Sequence, residues 1–337
     1  MSEPLLLSLI EAQARAGLQA EAPVVAQRLR EQGVDALCIQ QARGNLDWLE
    51  TPHARGWLAG DPVDAQRLRD ALARGFVDAD ALILAKMRAP YALPLLSWGE
   101  EPPGAAAAVN SARRLDLYAI VDTAQRLRQV LAAGARTVQL RIKTPATPDA
   151  AWHALLREEV RQAIEDSTRA GAELFVNDHW QIAQELGAYG VHLGQEDLLG
   201  LGDEGRERLR ASGMALGISS HSLWELARAR TLSPRYIACG PVWPTTTKDM
   251  PWVPQGLDNL AWWSRAAGVP VTAIGGILAP REVEATASTG TDGVCIVRGL
   301  GDDPTQTLPA FASALRAGRD HPLDPVPQWP HPTLPRG

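Results

Sequence analysis

The sequence predicts an α/β fold in which eight parallel strands close into a (β/α)8 TIM barrel, preceded by an additional small, mostly helical domain. Short apolar segments recur eight times between residues 115 and 299, with amphipathic stretches between them. The segments are rich in Val, Ile and Leu and too continuously apolar to alternate, as expected of parallel strands covered on both faces. Eight strand–helix units in roughly 200 residues fit a barrel at the small end of its size range.

Eight segments are predicted to be the strands of this barrel. In chain order they are LDLYAIVD (115–122), TVQLRI (137–142), ELFVND (173–178), GVHLG (190–194), MALGISS (214–220), YIACGPV (236–242), VPVTAIGG (269–276) and DGVCIVRG (292–299). The stretches between them, such as residues 149–171, place apolar residues at helical spacing and end in glycine, as helices do. A doubly wound open sheet is the alternative that the same alternation allows.

Composition along the chain divides it into four regions. Residues 1–98 form an N-terminal domain of uncertain role, and residues 99–114 are a predicted linker because Pro, Gly and Ala replace any apolar period. The barrel is predicted over residues 115–318, and residues 319–337 form a Pro-rich tail that is expected to be disordered. Few contacts are expected to cross the linker, so the N-terminal domain should be dispensable for the chemistry.

The charge and hydropathy of the chain exclude several classes of partner. A net charge of −6 over 337 residues argues against a general nucleic-acid surface. The N-terminus lacks the pattern of a secretory leader, and no apolar run approaches the ~20 residues of a membrane span. Cys38, Cys239 and Cys295 show no CxxC spacing, which favours buried core positions over a disulfide or zinc site. We expect a cytoplasmic enzyme for small molecules, and homo-oligomerisation stays open.

Lysine is scarce in this chain. Only Lys86, Lys143 and Lys248 are lysine among the 33 basic residues, and the others are arginine. Because arginine serves wherever a generic surface cation suffices, each lysine indicates a place that needs a compact ammonium on a flexible stem.

Two predicted strands end in a carboxylate. LFVND ends at Asp178, and GVHLG is followed by Asp197. The carboxyl ends of neighbouring parallel strands meet at one rim of the sheet, where hard cations and phosphates are usually held. One or two carboxylates, with water and substrate phosphate oxygens, form the ligand set that Mg²⁺ prefers, so we expect Mg²⁺ as the cofactor. The alternative is that both aspartates are helix N-caps.

Polar side chains alternate along the second predicted barrel strand. Gln139, Arg141 and Lys143 should point to one side, with Val, Leu and Ile on the other. An amide, a guanidinium and an ammonium on one face suit a site that binds an anion. An edge strand with a solvated polar face is the alternative.

Three loops at strand ends are suited to phosphate. Residues 244–248, PTTTK, offer hydroxyls, backbone N–H groups and a lysine, although a plain polar loop is the alternative. Gly275-Gly276 and Arg298-Gly299 follow strands 7 and 8, where barrels often bind a phosphate. Within the same rim, His221 is a candidate ligand contact, whereas His192 is expected to be a satisfied interior residue.

These motifs, in this order, resemble the thiamine phosphate synthase family. The shared motifs are QLRIK, ND, GVHLGQED, GISSH, GPVWPTTTK and AIGGI, and they extend over about residues 115–316. The resemblance implies a transferase that joins 4-amino-5-hydroxymethyl-2-methylpyrimidine diphosphate to 4-methyl-5-(2-hydroxyethyl)thiazole phosphate and releases diphosphate.

The resemblance also implies a role for each motif residue. It assigns Asp178 and Asp197 to Mg²⁺. It assigns to the pyrimidine diphosphate Gln139, Arg141, Lys143, Asn177, Ser219 and Lys248. Thr245, Thr247 and Gly276 are implied contacts of the thiazole phosphate. Lys143, Ser219 and Lys248 are expected to act in catalysis, since departing diphosphate needs its negative charge stabilised.

The chain departs from the family at one site position. Arg298 stands where the family commonly has serine, and arginine can hold a phosphate bidentately instead. Residues 1–98 weakly resemble the C-terminal part of hydroxymethylpyrimidine phosphate kinase, but the Gly-rich turn is replaced by Ala54-Arg55-Gly56-Trp57. A degenerate remnant is therefore expected.

Two other functions are compatible with the same fold. A thiazole tautomerase, which is an isomerase, would use a histidine such as His221 as acid–base and needs no residues that bind diphosphate. A non-catalytic protein that binds thiamine intermediates would need no metal pair. Retention of Asp178, Asp197, Lys143 and the PTTTK loop favours the synthase.

Overall fold

The first part of the protein is a small domain with both helices and strands. The computed structural model describes residues 3–104, 113–244 and 251–334. The domain contains, in order, β1 (Leu5–Ser8), α1 (Leu9–Ala16), α2 (Ala22–Glu31), β2 (Leu37–Arg43), β3 (Leu46–Glu50), β4 (Arg55–Leu58), α3 (Ala65–Ala73) and α4 (Asp78–Ala85). Its four strands form one sheet in the order β1-β2-β3-β4, in which only the first pair is parallel.

The sheet of this domain was not expected, although more of its residues lie in helices than in strands, in agreement with the predicted mostly helical domain. The connection between β2 and β3 is the dipeptide Gly44-Asn45, and Gly44 has a left-handed backbone with φ 64°. A Gly-Asn pair between two short runs is a hairpin signal. The amphipathic helices dominate the apolar pattern of this region, and the short strands between them were missed.

The second part is the predicted barrel. Its strands are β5 (Asp116–Val121), β6 (Thr137–Leu140), β7 (Glu173–Asn177), β8 (Gly190–Leu193), β9 (Ala215–Ser220), β10 (Tyr236–Cys239), β11 (Val271–Ala273) and β12 (Gly293–Ile296). Each strand pairs in parallel with the next, and β12 returns to pair with β5. Every strand lies inside its predicted segment, so the (β/α)8 fold is confirmed and the open sheet is wrong.

Helices cover the outside of the barrel. They are α5 (Ala124–Ala132), α6 (Ala150–Ala170), α7 (Trp180–Glu185), α8 (Gln195–Gly200), α9 (Gly202–Ala211), α10 (Leu223–Ala229), α11 (Gly256–Ala266), α12 (Pro280–Ala287) and α13 (Pro304–Asp320). Local sequence sets their ends: Asp149 accepts the Trp152 N–H at 2.7 Å to begin α6, and left-handed Gly171 ends it. No helix in the described ranges is long and apolar enough to cross a bilayer.

Aromatic rings fill the barrel interior. Tyr118, Phe175 and Tyr236 are fully buried and belong to one cluster inside the strands. Gly217 on β9 makes room for this packing, because a Cβ there would lie 2.3 Å from the Tyr236 Cζ atom. The interior is therefore a packed floor, and open space remains only above it.

The N-terminal domain packs firmly against the barrel. A continuous apolar core extends from Leu68 on α3 into the barrel helices, and α4 packs against α10. Beyond α4, the Leu96 N–H donates to the Ala227 carbonyl at 3.4 Å, and the Trp98 indole N–H donates to the Thr231 hydroxyl at 3.1 Å. The expectation of few contacts across the linker is therefore wrong.

The Pro-rich tail is packed over the part that the structure describes. The His331 N–H donates to Asn259 Oδ1 at 2.7 Å, and the Trp329 ring lies under the guanidinium groups of Arg67 and Arg74, 5.1 and 4.7 Å from its centroid. Prolines lower the entropy that the tail loses on folding, and the two anchoring side chains supply tertiary contacts. The expectation of a disordered tail is therefore wrong for these residues.

Lys86 occupies a site that needs a compact ammonium. Its side chain is buried, and its Nζ atom lies 2.5 Å from Asp47 Oδ2, also buried. A buried carboxylate without its cation costs several kcal/mol, about 3–5 when a partner is removed. Lys86 therefore agrees with the interpretation that each of the few lysines occupies a place that needs a compact ammonium. All three cysteines are free and buried, as predicted.

We predict that a chain starting at residue 113 will be unstable. The deletion uncovers the apolar surface of α10 that α4 and residues 93–98 bury. Thermal unfolding and light scattering should show aggregation or a loss of Tm of roughly 10 °C or more. A soluble fragment with the Tm of the full chain would contradict this expectation.

Candidate active site

One cavity opens at the carboxyl ends of the barrel strands. Its volume is about 450 Å³, which suits a small-molecule ligand. Most of the residues predicted for the site line this cavity together. They are Gln139, Arg141, Asn177, Asp178, Asp197, Ser219, His221, Gly276 and Arg298. In a parallel barrel this end is where ligands bind, so the position of the cavity agrees with the sequence prediction.

The two predicted metal ligands lie on neighbouring loops of this rim. Asp178 follows β7 with an unusual left-handed backbone, φ 64°, and its N–H donates to the His192 carbonyl at 3.0 Å. A non-glycine residue in this conformation costs about 1 kcal/mol or more, so the surrounding structure must impose it. Asp197 Oδ2 accepts the Gly194 N–H at 2.8 Å. This hydrogen bond is of the kind that the helix-cap alternative expects, but it uses only one carboxylate oxygen of Asp197.

This pair of carboxylates fits Mg²⁺ better than a closed metal site. Both side chains are exposed and line the cavity, so their oxygens can be reached by a hydrated ion. Mg²⁺ typically keeps several waters and takes only one or two protein carboxylates together with substrate phosphate oxygens. Within the described ranges, no group of three or more His, Cys, Asp or Glu could form a metal cage. The donor set suits an ion shared with a phosphate ligand.

The structure separates the three residues that were expected to share a strand face. β6 ends at Leu140, and Arg141 follows with its N–H donating to the Val121 carbonyl at 2.7 Å. Gln139 and Arg141 line the cavity, but Lys143 lies exposed on the segment beyond the strand, outside the cavity wall. The shared face is wrong for Lys143. The edge-strand alternative is also wrong, because β6 lies between β5 and β7.

A chain of hydrogen bonds forms the floor of the cavity. Gln139 Nε2 donates to the Tyr118 hydroxyl at 3.1 Å, and the Tyr118 and Tyr236 hydroxyls lie 2.7 Å apart. The Tyr236 hydroxyl lies 2.7 Å from His192 Nδ1, and His192 Nε2 lies 2.8 Å from the Ser219 hydroxyl. His192 is therefore a satisfied interior residue, as predicted.

The direction of this chain follows from its first donor. Burial, with a smaller contribution from the Arg141 charge, lowers the pKa of His192 to about 4, so the ring is neutral at pH 7. Because Gln139 donates to Tyr118, Tyr118 can donate to Tyr236 and Tyr236 to His192 Nδ1. His192 Nε2–H then donates to Ser219. This order leaves the Ser219 hydroxyl hydrogen available to a ligand.

Sequence reasoning missed both tyrosines of this floor. Tyr118 and Tyr236 are two of only four tyrosines in the chain, and each stands in an otherwise apolar strand. A buried tyrosine hydroxyl needs a partner. Two such residues on barrel strands were therefore a usable signal of a polar network inside the barrel.

The opposite wall carries the glycines and arginine predicted for phosphate. Gly275 and Gly276 have φ of 101° and 75°, and a Cβ at Gly276 would lie 2.5 Å from the Trp243 Cβ. Only glycine fits this close approach of two loops. Arg298 begins the 3₁₀ turn after β12 and lines the cavity. Thr245, Thr247 and Lys248 lie outside the described residues, so their roles stay predictions.

His221 lies at the rim, where it was expected. Its Nδ1 atom is 3.1 Å from Glu225 Oε2, and its ring stacks on Trp252 with centroids 5.2 Å apart and planes 9° from parallel. Both partners hold the ring against the cavity wall. Its contact with a ligand stays a prediction.

Comparison with known proteins agrees with this geometry. The sequence profile described as thiamine monophosphate synthase matches residues 117–300. The chain belongs to this family. It is 41% identical over 200 residues to a thiamine-phosphate synthase of Neisseria meningitidis, covering 58% of this chain and 93% of the relative. A thiamine-phosphate synthase of Yersinia pestis is 43% identical over 194 residues, covering 57% and 85%.

A solved family structure has the same fold. Thiamine phosphate pyrophosphorylase from Pyrococcus furiosus is 26% identical, with a TM-score of 0.51, covering 60% of this chain and 96% of that protein. The profile match begins at residue 117, after the N-terminal domain. The family resemblance inferred from the motifs is therefore confirmed for the barrel.

We predict that His192 makes stability fall at acid pH. Its ordinary pKa of 6.5 is lowered to about 4 in the folded protein, so only the unfolded chain binds this proton between those values. The free energy of unfolding should therefore rise with pH across this window and lose about 3 kcal/mol as pH falls from 6.5 to 4.

Urea unfolding at several pH values checks this prediction. His192→Gln should show a flatter pH dependence between 4 and 6.5 than the wild type. His153→Gln changes an exposed histidine and should keep the wild-type slope. An unchanged slope in His192→Gln would show that this ring does not exclude the proton.

Proposed function

We propose that this protein is a thiamine-phosphate synthase. It would be a transferase that joins the pyrimidine diphosphate and the thiazole phosphate named above into thiamine phosphate and diphosphate. The observation that carries the proposal is the convergence of the family's motif residues on one cavity of a barrel whose relatives are named for this activity. An assay that mixes both substrates with and without Mg²⁺ and detects thiamine phosphate tests it.

The cavity divides into two sides that suit the two substrates. Gln139, Asn177 and Ser219 offer amide and hydroxyl groups near the floor, where a flat aminopyrimidine can exchange hydrogen bonds. Arg141 adds positive charge on this side. The Gly275-Gly276 turn and Arg298 are suited to the phosphate of the thiazole on the other side.

The proposed reaction needs no nucleophile from the protein. The carbon–oxygen bond to diphosphate breaks, and the oxygen keeps the electron pair. The electron-rich aminopyrimidine can stabilise the resulting cation, and the thiazole nitrogen then supplies the pair for the new carbon–nitrogen bond. Asp178 and Asp197 would hold Mg²⁺, whose charge would stabilise the departing diphosphate. The protein's residues bind, orient and exclude water around this exchange.

The Ser219 hydroxyl has a defined part in this scheme. The hydrogen-bond chain below it leaves its hydrogen directed to the cavity, where a ring nitrogen of the pyrimidine can accept it. The contact would orient the ring. Lys143 would assist the diphosphate only if its exposed segment approached the cavity, and Lys248 keeps its proposed role on the diphosphate.

The alternative functions are not favoured. The curated relatives are named thiamine-phosphate synthase, and none of those described above is a tautomerase. His221 contacts Glu225 and could serve an isomerase, but a tautomerase would leave the exposed aspartate pair without a role. A non-catalytic binder would leave it equally unexplained.

We predict that Asp178→Asn and Asp197→Asn each lower kcat/KM by about 10²-fold or more, because each removes an anionic ligand from the proposed metal site. Both positions are exposed, so far-ultraviolet circular dichroism should be unchanged. EDTA should abolish turnover and Mg²⁺ restore it. Glu196→Gln, at a neighbouring carboxylate of the cavity, should keep most activity. Wild-type rates in both aspartate variants at saturating Mg²⁺ would refute the metal assignment.

We also predict that Arg298 determines use of the thiazole phosphate. Arg298→Ala should raise the KM for that substrate roughly tenfold and leave the KM for the pyrimidine diphosphate unchanged, since a guanidinium–phosphate contact is lost. Arg298→Ser, which introduces the residue common in the family, should lose less. Steady-state kinetics with each substrate varied in turn provides the test, and equal effects on both KM values would contradict the division of the cavity.

A further inference from the structure

A carboxylate of the N-terminal domain accepts a backbone N–H group at the start of a helix at the cavity rim. Asp80 on α4 is 2% exposed, and its Oδ1 atom accepts the Trp224 N–H at 3.0 Å. Trp224 is in the first turn of α10, which begins two residues after His221. A helix of seven residues gains much of its order from such tertiary contacts. Ser222 is the local N-cap of α10, with its hydroxyl accepting the Glu225 N–H at 3.3 Å, and Asp80 of the N-terminal domain satisfies a further N–H group of the first turn.

Four aromatic rings connect the same domain to the cavity. His53, in the turn between β3 and β4, lies 5.4 Å from Trp224, which lies 5.6 Å from Trp252. Trp252 in turn stacks on His221 at 5.2 Å. The series begins in the N-terminal domain and ends at a residue that lines the cavity.

Further contacts of His221 come from α10 and from the segment that follows Trp252. Glu225, on α10, accepts the His221 N–H through Oε2 and lies 3.1 Å from its Nδ1. Gln255, three residues beyond Trp252, donates to the His221 carbonyl at 2.7 Å. A shift of α10 or Trp252 would therefore move His221, since its ring and its backbone are both attached to them.

We propose that residues 1–98 act as a positioning domain for the active site, in which Asp80 and His53 hold His221 at the cavity wall through α10 and Trp252. The inference deepens the proposed function, on which its kinetic readout rests. It assigns Asp80 and His53 as positioning residues that touch no substrate. It also replaces the expectation that the N-terminal domain is dispensable for the chemistry.

Three variants of the full chain test this inference. Asp80→Ala removes the carboxylate that accepts the Trp224 N–H at the start of α10, and His53→Ala removes the first ring from an exposed position where loss of folding is not expected. Asp80→Asn keeps an oxygen acceptor. Burial raises the pKa of Asp80 to about 8, so the side chain is mainly uncharged at pH 7 and the amide is a close replacement.

Asp64→Ala is the matched control. Asp64 caps α3 in the same domain, with its Oδ1 accepting the Gln66 and Arg67 N–H groups at 2.9 and 3.0 Å. Loss of either side-chain acceptor at a helix start should lower Tm by a similar amount, about 2–4 °C. A merely structural contribution of Asp80 would therefore be reproduced by the Asp64 variant.

The first readout is independent of turnover. The His221 ring resonances, assigned by their loss in His221→Gln, should be shifted by the Trp252 ring current in the wild type. They should move in Asp80→Ala and His53→Ala, and remain in place in Asp80→Asn and Asp64→Ala. The second readout is kinetic. Asp80→Ala and His53→Ala should raise the KM for one of the two substrates roughly tenfold, with a smaller effect on kcat.

The outcomes separate this inference from the proposed function. Unmoved His221 resonances in folded Asp80→Ala and His53→Ala would overturn the positioning domain, as would an equal shift in Asp64→Ala. A wild-type chain that makes no thiamine phosphate would refute the function and leave the resonance test valid. Shifted resonances with unchanged KM values would also overturn the inference, because His221 would then be held without consequence for the site.

Discussion

Closure of the barrel between β12 and β5 determines where every functional side chain of this protein lies. With all eight strands parallel and paired in one ring, their carboxyl ends meet at a single rim. Residues as distant in sequence as Gln139 and Arg298 then line one cavity of about 450 Å³. The carboxylates after β7 and β8 are adjacent for the same reason, because those strands pair directly. The order of strands thus places the two carboxylates in one region of the site and the glycine turn and Arg298, which are proposed to bind phosphate, in another.

Closure also requires a buried floor, and the chain builds it from polar side chains. An unsatisfied buried hydroxyl costs roughly 1–3 kcal/mol, so Tyr118 and Tyr236 are tolerable only because each has a partner. Gly217 makes room for the second ring. The neutral His192 ring then extends the hydrogen-bond chain to the Ser219 hydroxyl. The packing of the core and the position of the Ser219 hydroxyl at the cavity therefore depend on the same side chains, and a change in the floor would alter both.

The sequence predicted the elements that a local pattern specifies. All eight barrel strands were located because buried parallel strands are continuous apolar runs separated by helices. Lys143 was misplaced because the end of β6 depends on its pairing with β5, whose last residue is Val121. The tail was misjudged because its order comes from tertiary contacts of Trp329 and His331, which composition does not show. Roles of the cavity residues came from the family resemblance, since carboxylates at strand ends are also common helix caps.

The N-terminal domain and the tail add constraints to one side of the rim. Arg67 and Arg74 of α3 cover Trp329 of the tail, while His331 and Gln255 connect the tail to the segment beside His221. Asp80 contacts the same region from α4. Loops at a barrel rim are usually its least stable parts, because they have few buried contacts. Here Asp80 of the N-terminal domain holds the first turn of α10, and the tail holds Gln255, which donates to the His221 carbonyl. The two added regions therefore stabilise the part of the rim around His221 from outside the barrel fold.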